Sequence, residues 1–82
     1  MRTFLVGDRK FCNQPISYYV LAEDLDNVGE NYGVRVEYGG EVASILGITV
    51  SQLRIQELLR LLIRGTVPPS ALRDVVEDWL LT

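Results

Sequence analysis

The hydrophobic period of this chain changes once, near residue 48. Before that point lie six of the seven glycines and all four tyrosines; after it lie eight of the twelve leucines. Apolar residues at every second position suit a strand, and apolar residues every three to four suit a helix. A chain that switches from one period to the other builds its strands first and its helices afterwards, which is the pattern of an α+β fold. With 82 residues there is length for one domain.

In the first half, Tyr32, Val34, Val36 and Tyr38 alternate with Gly33, Arg35 and Glu37, giving a strand with one apolar face. Gly39-Gly40 follows, and two glycines take the positive φ of a tight hairpin without strain. Glu41 to Leu46 is then the returning strand. Ser17 to Asp24, rich in Tyr, Val and Leu, reads as a strand covered on both faces. Asp26 to Asn31 is a polar connector. Arg2–Val6 and Arg9–Cys12 add an edge strand or hairpin, and Pro15 is expected to interrupt it because proline cannot donate to a ladder. The expectation is an antiparallel meander of three to four strands over about residues 2–47.

The second half predicts two helices, at about 51–64 and 69–81. Thr49 is the expected N-cap, with Gln52 three residues on as in a capping box, and Ile48 against Leu53 as a hydrophobic staple. Gly65 is the expected left-handed residue beyond the C-terminus. Val67-Pro68-Pro69 forbids continuation. Proline is tolerated at the first position of the next helix, with Ser70 an alternative cap. Leu72, Val75, Val76, Trp79 and Leu80 then form one apolar stripe. The expected architecture is a helical hairpin packed on one face of the sheet.

Composition narrows the function classes. Leu, Ile, Val and Phe make up 29 of the 82 residues, well above the roughly 20% below which chains stay disordered. The net charge of −3 argues against nucleic acid, which is usually met by a basic domain. There is no histidine and a single cysteine, Cys12. This removes imidazole-assisted nucleophiles, an internal disulfide and a thiolate zinc site. Phosphate-loop, CxxC, HExxH and EF-hand spacings are missing. Asp74 and Asp78, i and i+4 on a wet face, lack the contrasting environments that acid–base work needs. The expectation is a non-enzyme with no catalytic residue, no cofactor and no bound metal. Phe4-Leu5-Val6 is too short for a secretory signal, and no apolar run approaches a membrane span. A cytoplasmic protein with Cys12 as a reduced thiol on or near a strand is therefore expected.

The first helix carries more apolar surface than one sheet hides. Ile55, Leu58, Leu59, Leu62 and Ile63 span an arc of roughly 140°, and Leu61 widens it to about 200°. A helix apolar over half its girth needs covering from two directions. The sheet is one cover and the second helix another, and the two suffice if Leu53 is spent on the staple; the alternative is that a second protein molecule takes the remainder, as small domains often associate to make up for thin cores. The candidate interface comprises Leu53, Arg54, Leu58 and Leu61, with Asp74, Glu77 and Asp78 as an acidic edge. The first helix has a net charge of +2 and the second −2, so the acidic edge could dock a basic partner. The leading expectation is an interaction or regulatory module that binds a protein partner or itself, with a homodimer as the self-associated form. The alternative is a nucleic-acid-associated regulator, with two helices in a helix-turn-helix or tyrosines stacking bases. Acidic Asp74, Glu77 and Asp78 make the second helix a poor groove reader, and Arg35 is the one cation in residues 17–48. No small-molecule substrate is implied.

At Tyr32-Gly-Val-Arg-Val-Glu, and again at Val67-Pro-Pro-Ser-Ala-Leu-Arg-Asp-Val-Val-Glu-Asp-Trp-Leu, the chain resembles a family of short, uncharacterised bacterial proteins classed as a domain of unknown function. The similarity runs from about Tyr18 to Leu81, and Asp74–Leu80 is its most recognisable part. The resemblance implies a cytosolic bacterial protein of this two-part layout and supplies no site residues.

Overall fold

Each strand turns back beside the one before it. The computed structural model describes residues 1–26 and 29–82. These form β1 (Arg2–Phe11), β2 (Gln14–Leu25), β3 (Gly29–Tyr38) and β4 (Glu41–Thr49), then α1 (Gln52–Arg64), a single 3-10 turn (Pro69–Ala71) and α2 (Leu72–Leu81). The strands lie in the order β1-β2-β3-β4, every pair antiparallel. This is the expected α+β meander with two helices on one face. Of the expected polar connector, Gly29–Asn31 opens β3, and residues 27 and 28 lie outside the described residues.

The hairpins follow from their turn residues. Gly39 and Gly40 both hold positive φ, 55° and 87°, between the partners Tyr38 and Glu41. Cys12 and Asn13 do the same at 51° and 65°, between Phe11 and Gln14. Two positive-φ residues make the type I′ turn whose twist matches its strands. Cys12 therefore sits at an exposed turn. Pro15 does not interrupt the sheet. It pairs with Lys10 in the position next to the hairpin's closing pair, where its nitrogen points away from β1. The β2–β3 pairing begins one residue later, at Ile16 and Tyr38, so no ladder bond is lost. Nor is β1 split: one irregularity between Leu5 and Gly7 lets a single strand run from Arg2 to Phe11.

β4 outruns its expected end. Its register against β3 jumps from Ile45↔Val34 to Thr49↔Tyr32, with Gly47 at φ 64°. Two extra residues bulge out and the strand resumes. Gly33 makes this possible, since a Cβ there would lie 2.2 Å from the Ile45 carbonyl oxygen. Thr49 is thereby held in the sheet and does not cap α1. Ser51 caps instead, its Oγ accepting from the Arg54 backbone N–H at 3.2 Å, while Thr49 Oγ1 accepts from the Ser51 N–H at 3.1 Å. The expected Ile48–Leu53 staple is not formed, because Leu53 points into solvent.

The end of α1 also differs from expectation. Gly65 is right-handed, at φ −84°, and Thr66 is the left-handed residue, at φ 50°. The Thr66 N–H donates to the Ile63 carbonyl and the Val67 N–H to the Leu62 carbonyl, which together make a Schellman motif. Pro68 is extended and Pro69 opens the 3-10 turn without a side-chain cap. The α-helical part of the second helix thus begins at Leu72.

The core lies between the sheet and the helices. Ile16, Tyr18, Val34 and Val36 from the strands meet Ile55, Leu58, Leu59, Leu62, Leu72 and Val76 from the helices. Full burial of each large side chain is worth ~1.5–3 kcal/mol. The Tyr18 hydroxyl donates to the Val67 carbonyl at 3.0 Å, tying the interhelical link to the sheet floor. Trp79 is half-buried, with the Arg54 guanidinium 4.4 Å above its ring. Leu80, expected in the stripe, is exposed. No described helix is long and apolar enough to cross a membrane.

Candidate functional site

The residues singled out from the sequence do not gather in one place. Leu58 is fully enclosed (0% exposed) and belongs to the core. It is removed from the candidate interface, because its position on α1 faces the sheet. Leu53 and Leu61 are 64% and 42% exposed. They stand two turns apart, ~12 Å along the axis and about 80° around it at 100° per residue. Leu53 is flanked by Arg60 and Arg64 on the outer side of α1, and Leu61 lies on a lateral flank. Arg54 is occupied by Trp79 and, at 4.0 Å, by Glu57. Asp74, Glu77 and Asp78 are exposed along α2.

Another uncovered apolar surface lies elsewhere. α1 crosses the sheet and touches all four strands. Its Ile63 reaches β1 at Gly7, where an added Cβ would meet the Ile63 side chain at 3.1 Å. Between this crossing and the start of β1, part of the sheet is left bare. The result is an open cleft of about 560 Å³. Its floor is Phe4, Val6, Val20 and Ala22, and its wall is α1, with Ile55, Leu59 and Ile63 apolar and Gln52, Gln56 and Arg60 polar. One end is polar: Arg2 pairs with Glu30, and the Tyr32 hydroxyl donates to the same carboxylate at 3.4 Å.

The cleft opens onto the free edge of β1, whose main chain can be assigned atom by atom. In a two-residue hairpin the pair flanking the turn is hydrogen-bonded, and bonded and non-bonded pairs then alternate. Counting from Phe11–Gln14, residues Gln14, Ile16, Tyr18, Val20 and Ala22 bond to β1. The residues between them bond to β3, consistent with the count from the Tyr38–Glu41 turn. Phe4, opposite Val20, therefore bonds inward. Thr3 and Leu5, opposite Leu21 and Tyr19, present their N–H and C=O groups outward. The side chains here are uncovered too: Phe4, Leu5 and Val6 are 48%, 60% and 48% exposed.

Sequence reasoning missed this surface for an identifiable reason. Ordinary alternation puts Phe4 and Val6 on the cleft with Leu5 opposite, and the extra residue at Val6 breaks the alternation beyond it, so that Gly7 again faces α1. Read along the chain, Phe4-Leu5-Val6 is a short apolar run with no period. The signal available was that three apolar residues fall on a strand already expected at an edge.

The other face of the sheet holds Tyr19, with the Arg35 guanidinium 5.9 Å from its ring, and Arg35 pairs with Glu37 at 2.6 Å. By register, Tyr18, Tyr32 and Tyr38 sit on the face that carries the helices.

A model of a family described as a family of unknown function (DUF6514) matches residues 3–82. The match reaches further toward the N-terminus than the resemblance read from the sequence, and so takes in β1. No curated protein and no solved structure matches the chain.

Proposed function

As the chain belongs to that family of unknown function, which assigns it no activity, we propose from its surface that it is a small protein-interaction module that self-associates. One observation carries this reading. Apolar side chains stay uncovered where the fold could have spent them in the core, above all Phe4, Leu5 and Val6 along an edge strand beside an open cleft with an apolar floor. Long apolar strand edges are normally blunted by charge, proline or a covering element unless they have a partner. The role is binding rather than catalysis, in the cytoplasm. A base-stacking role for the tyrosines receives little support, with three of the four on the helix-bearing face and Tyr19 already under Arg35. Sedimentation equilibrium of the full chain tests the proposal. Reversible dimerisation in the micromolar range is the expected result, and a strict monomer at high micromolar concentration contradicts it.

A further inference from the structure

We infer that the free edge of β1 pairs with the same edge of a second copy, antiparallel about a two-fold axis at Phe4, so that two four-stranded sheets join as one of eight strands. This rests on the self-association reading above and adds to it a surface and a register.

The edges of the sheet are unequal. β4 is broken by its two-residue bulge around Gly47, and the 3-10 turn packs against it. Among the described residues, β1 has neither protection between Arg2 and Leu5. A row of outward donors and acceptors is complementary to its own copy under two-fold rotation, because each residue that donates also accepts. Pairing about Phe4 sets Thr3 opposite Leu5 of the second copy, and Leu5 opposite Thr3. Within the paired segment these are the two residues whose N–H and C=O groups face outward, so four main-chain hydrogen bonds form.

The register is selected by what lies on either side. A shift toward the C-terminus moves the irregularity at Val6 from the end of the paired segment toward its middle, and then brings in Asp8, Arg9 and Lys10. A shift toward the N-terminus shortens the paired segment. With the axis at Phe4 the segment is Arg2–Val6, whose one charge, Arg2, is already paired with Glu30 in its own chain. Arg2 then faces Val6 of the second copy rather than a second Arg2.

The faces also agree. A two-fold axis perpendicular to the sheet leaves both α1 helices on the same side. Phe4 meets Phe4 of the second copy as a non-hydrogen-bonded pair, the closer of the two antiparallel spacings, at Cα–Cα ~4.5 Å. The two clefts then open toward each other across this pair. Each cleft's exposed Phe4 and Val6 gain a neighbour from the opposite chain, covering the part of the sheet that α1 leaves bare.

The test uses the full chain and variants aimed at different atoms. Leu5→Pro removes an outward N–H and leaves the β1–β2 ladder intact, since proline is tolerated at strand edges. It is expected to raise the dimer dissociation constant by roughly tenfold or more. Leu5→Lys, which charges the edge and keeps the N–H, serves if the proline variant fails to fold, with the same expected direction. Phe4→Cys in a Cys12→Ser background should give a disulfide-linked dimer on mild oxidation, because the pair spacing falls within the ~4.4–6.8 Å Cα window of a disulfide. Leu61→Cys in that background should not. A dimer that survives both Leu5 variants and is dissolved by Leu61→Glu overturns the edge inference and leaves self-association standing on α1. A wild-type chain that stays monomeric at high micromolar concentration overturns both.

Discussion

Thr66 holds a left-handed backbone, φ 50°, that costs an L-residue roughly 1–2 kcal/mol, and its branched Cβ makes the position less comfortable still. The Schellman geometry at the end of α1 requires that conformation of whichever residue lies there. Thr66→Gly is therefore expected to stabilise the protein by about 1 kcal/mol, raising Tm by roughly 4–8 °C; a lower Tm in thermal unfolding would contradict the account. Gly65 looked like the left-handed residue because glycine usually is, and the sequence offered no means of seeing that the helix ends one residue later. Tyr18 makes a second residue-scale prediction. Burial pushes its phenol above the ordinary value of 10.0, a rise partly offset by Arg9. An unfolded Tyr18 loses its proton near pH 10 while the folded one keeps it. Stability from this residue is thus full below about pH 10 and falls as pH rises above it. Tyr18→Phe should cost about 1 kcal/mol at neutral pH by leaving the Val67 carbonyl without its donor. Its stability should also decline less than wild type above pH ~10, which paired denaturant melts would measure.

At the scale of elements, the helices were legible because their core positions recur every three to four residues, and Ile55, Leu58, Leu59, Leu62, Leu72 and Val76 are all enclosed. Their starts were not, because capping depends on which residue the sheet releases. The bulge at Gly47 carries β4 on to Thr49, and Ser51 inherits the cap. Ser51→Ala is expected to destabilise the fold by ~1 kcal/mol, read as a lower denaturation midpoint with an unchanged m-value. The same contrast separates the core and outer faces of α1. Leu58→Ala should cost ~2–5 kcal/mol, whereas Leu53→Ala should stay within about 0.5 kcal/mol in the monomer. Similar costs at the two positions would mean that α1 is rotated from its described orientation. Pro15 teaches a related lesson. A proline forbids a ladder bond only where the N–H faces a neighbour, and which way it faces depends on the distance to the hairpin turn.

For the whole molecule, the order of strands and helices could be read from the change of hydrophobic period, and the Gly39-Gly40 turn was visible as a dipeptide. The bare part of the sheet was not, since it depends on the angle at which α1 crosses, and no local pattern encodes a crossing angle. The sequence argument placed the surplus apolar surface on α1, at Leu53 and Leu61. Both are exposed, but they are separated along and around the helix, whereas Phe4 and Val6 adjoin a cleft and an unpaired edge. Amide hydrogen exchange at β1 addresses the resulting account most directly. Phe4 bonds inward to β2 and should be protected at every concentration, while Thr3 and Leu5 should exchange freely in dilute protein and become protected as concentration rises through the dimerisation range. Thr3 and Leu5 amides that exchange freely at high micromolar concentration, beside a protected Phe4, would contradict the paired edge.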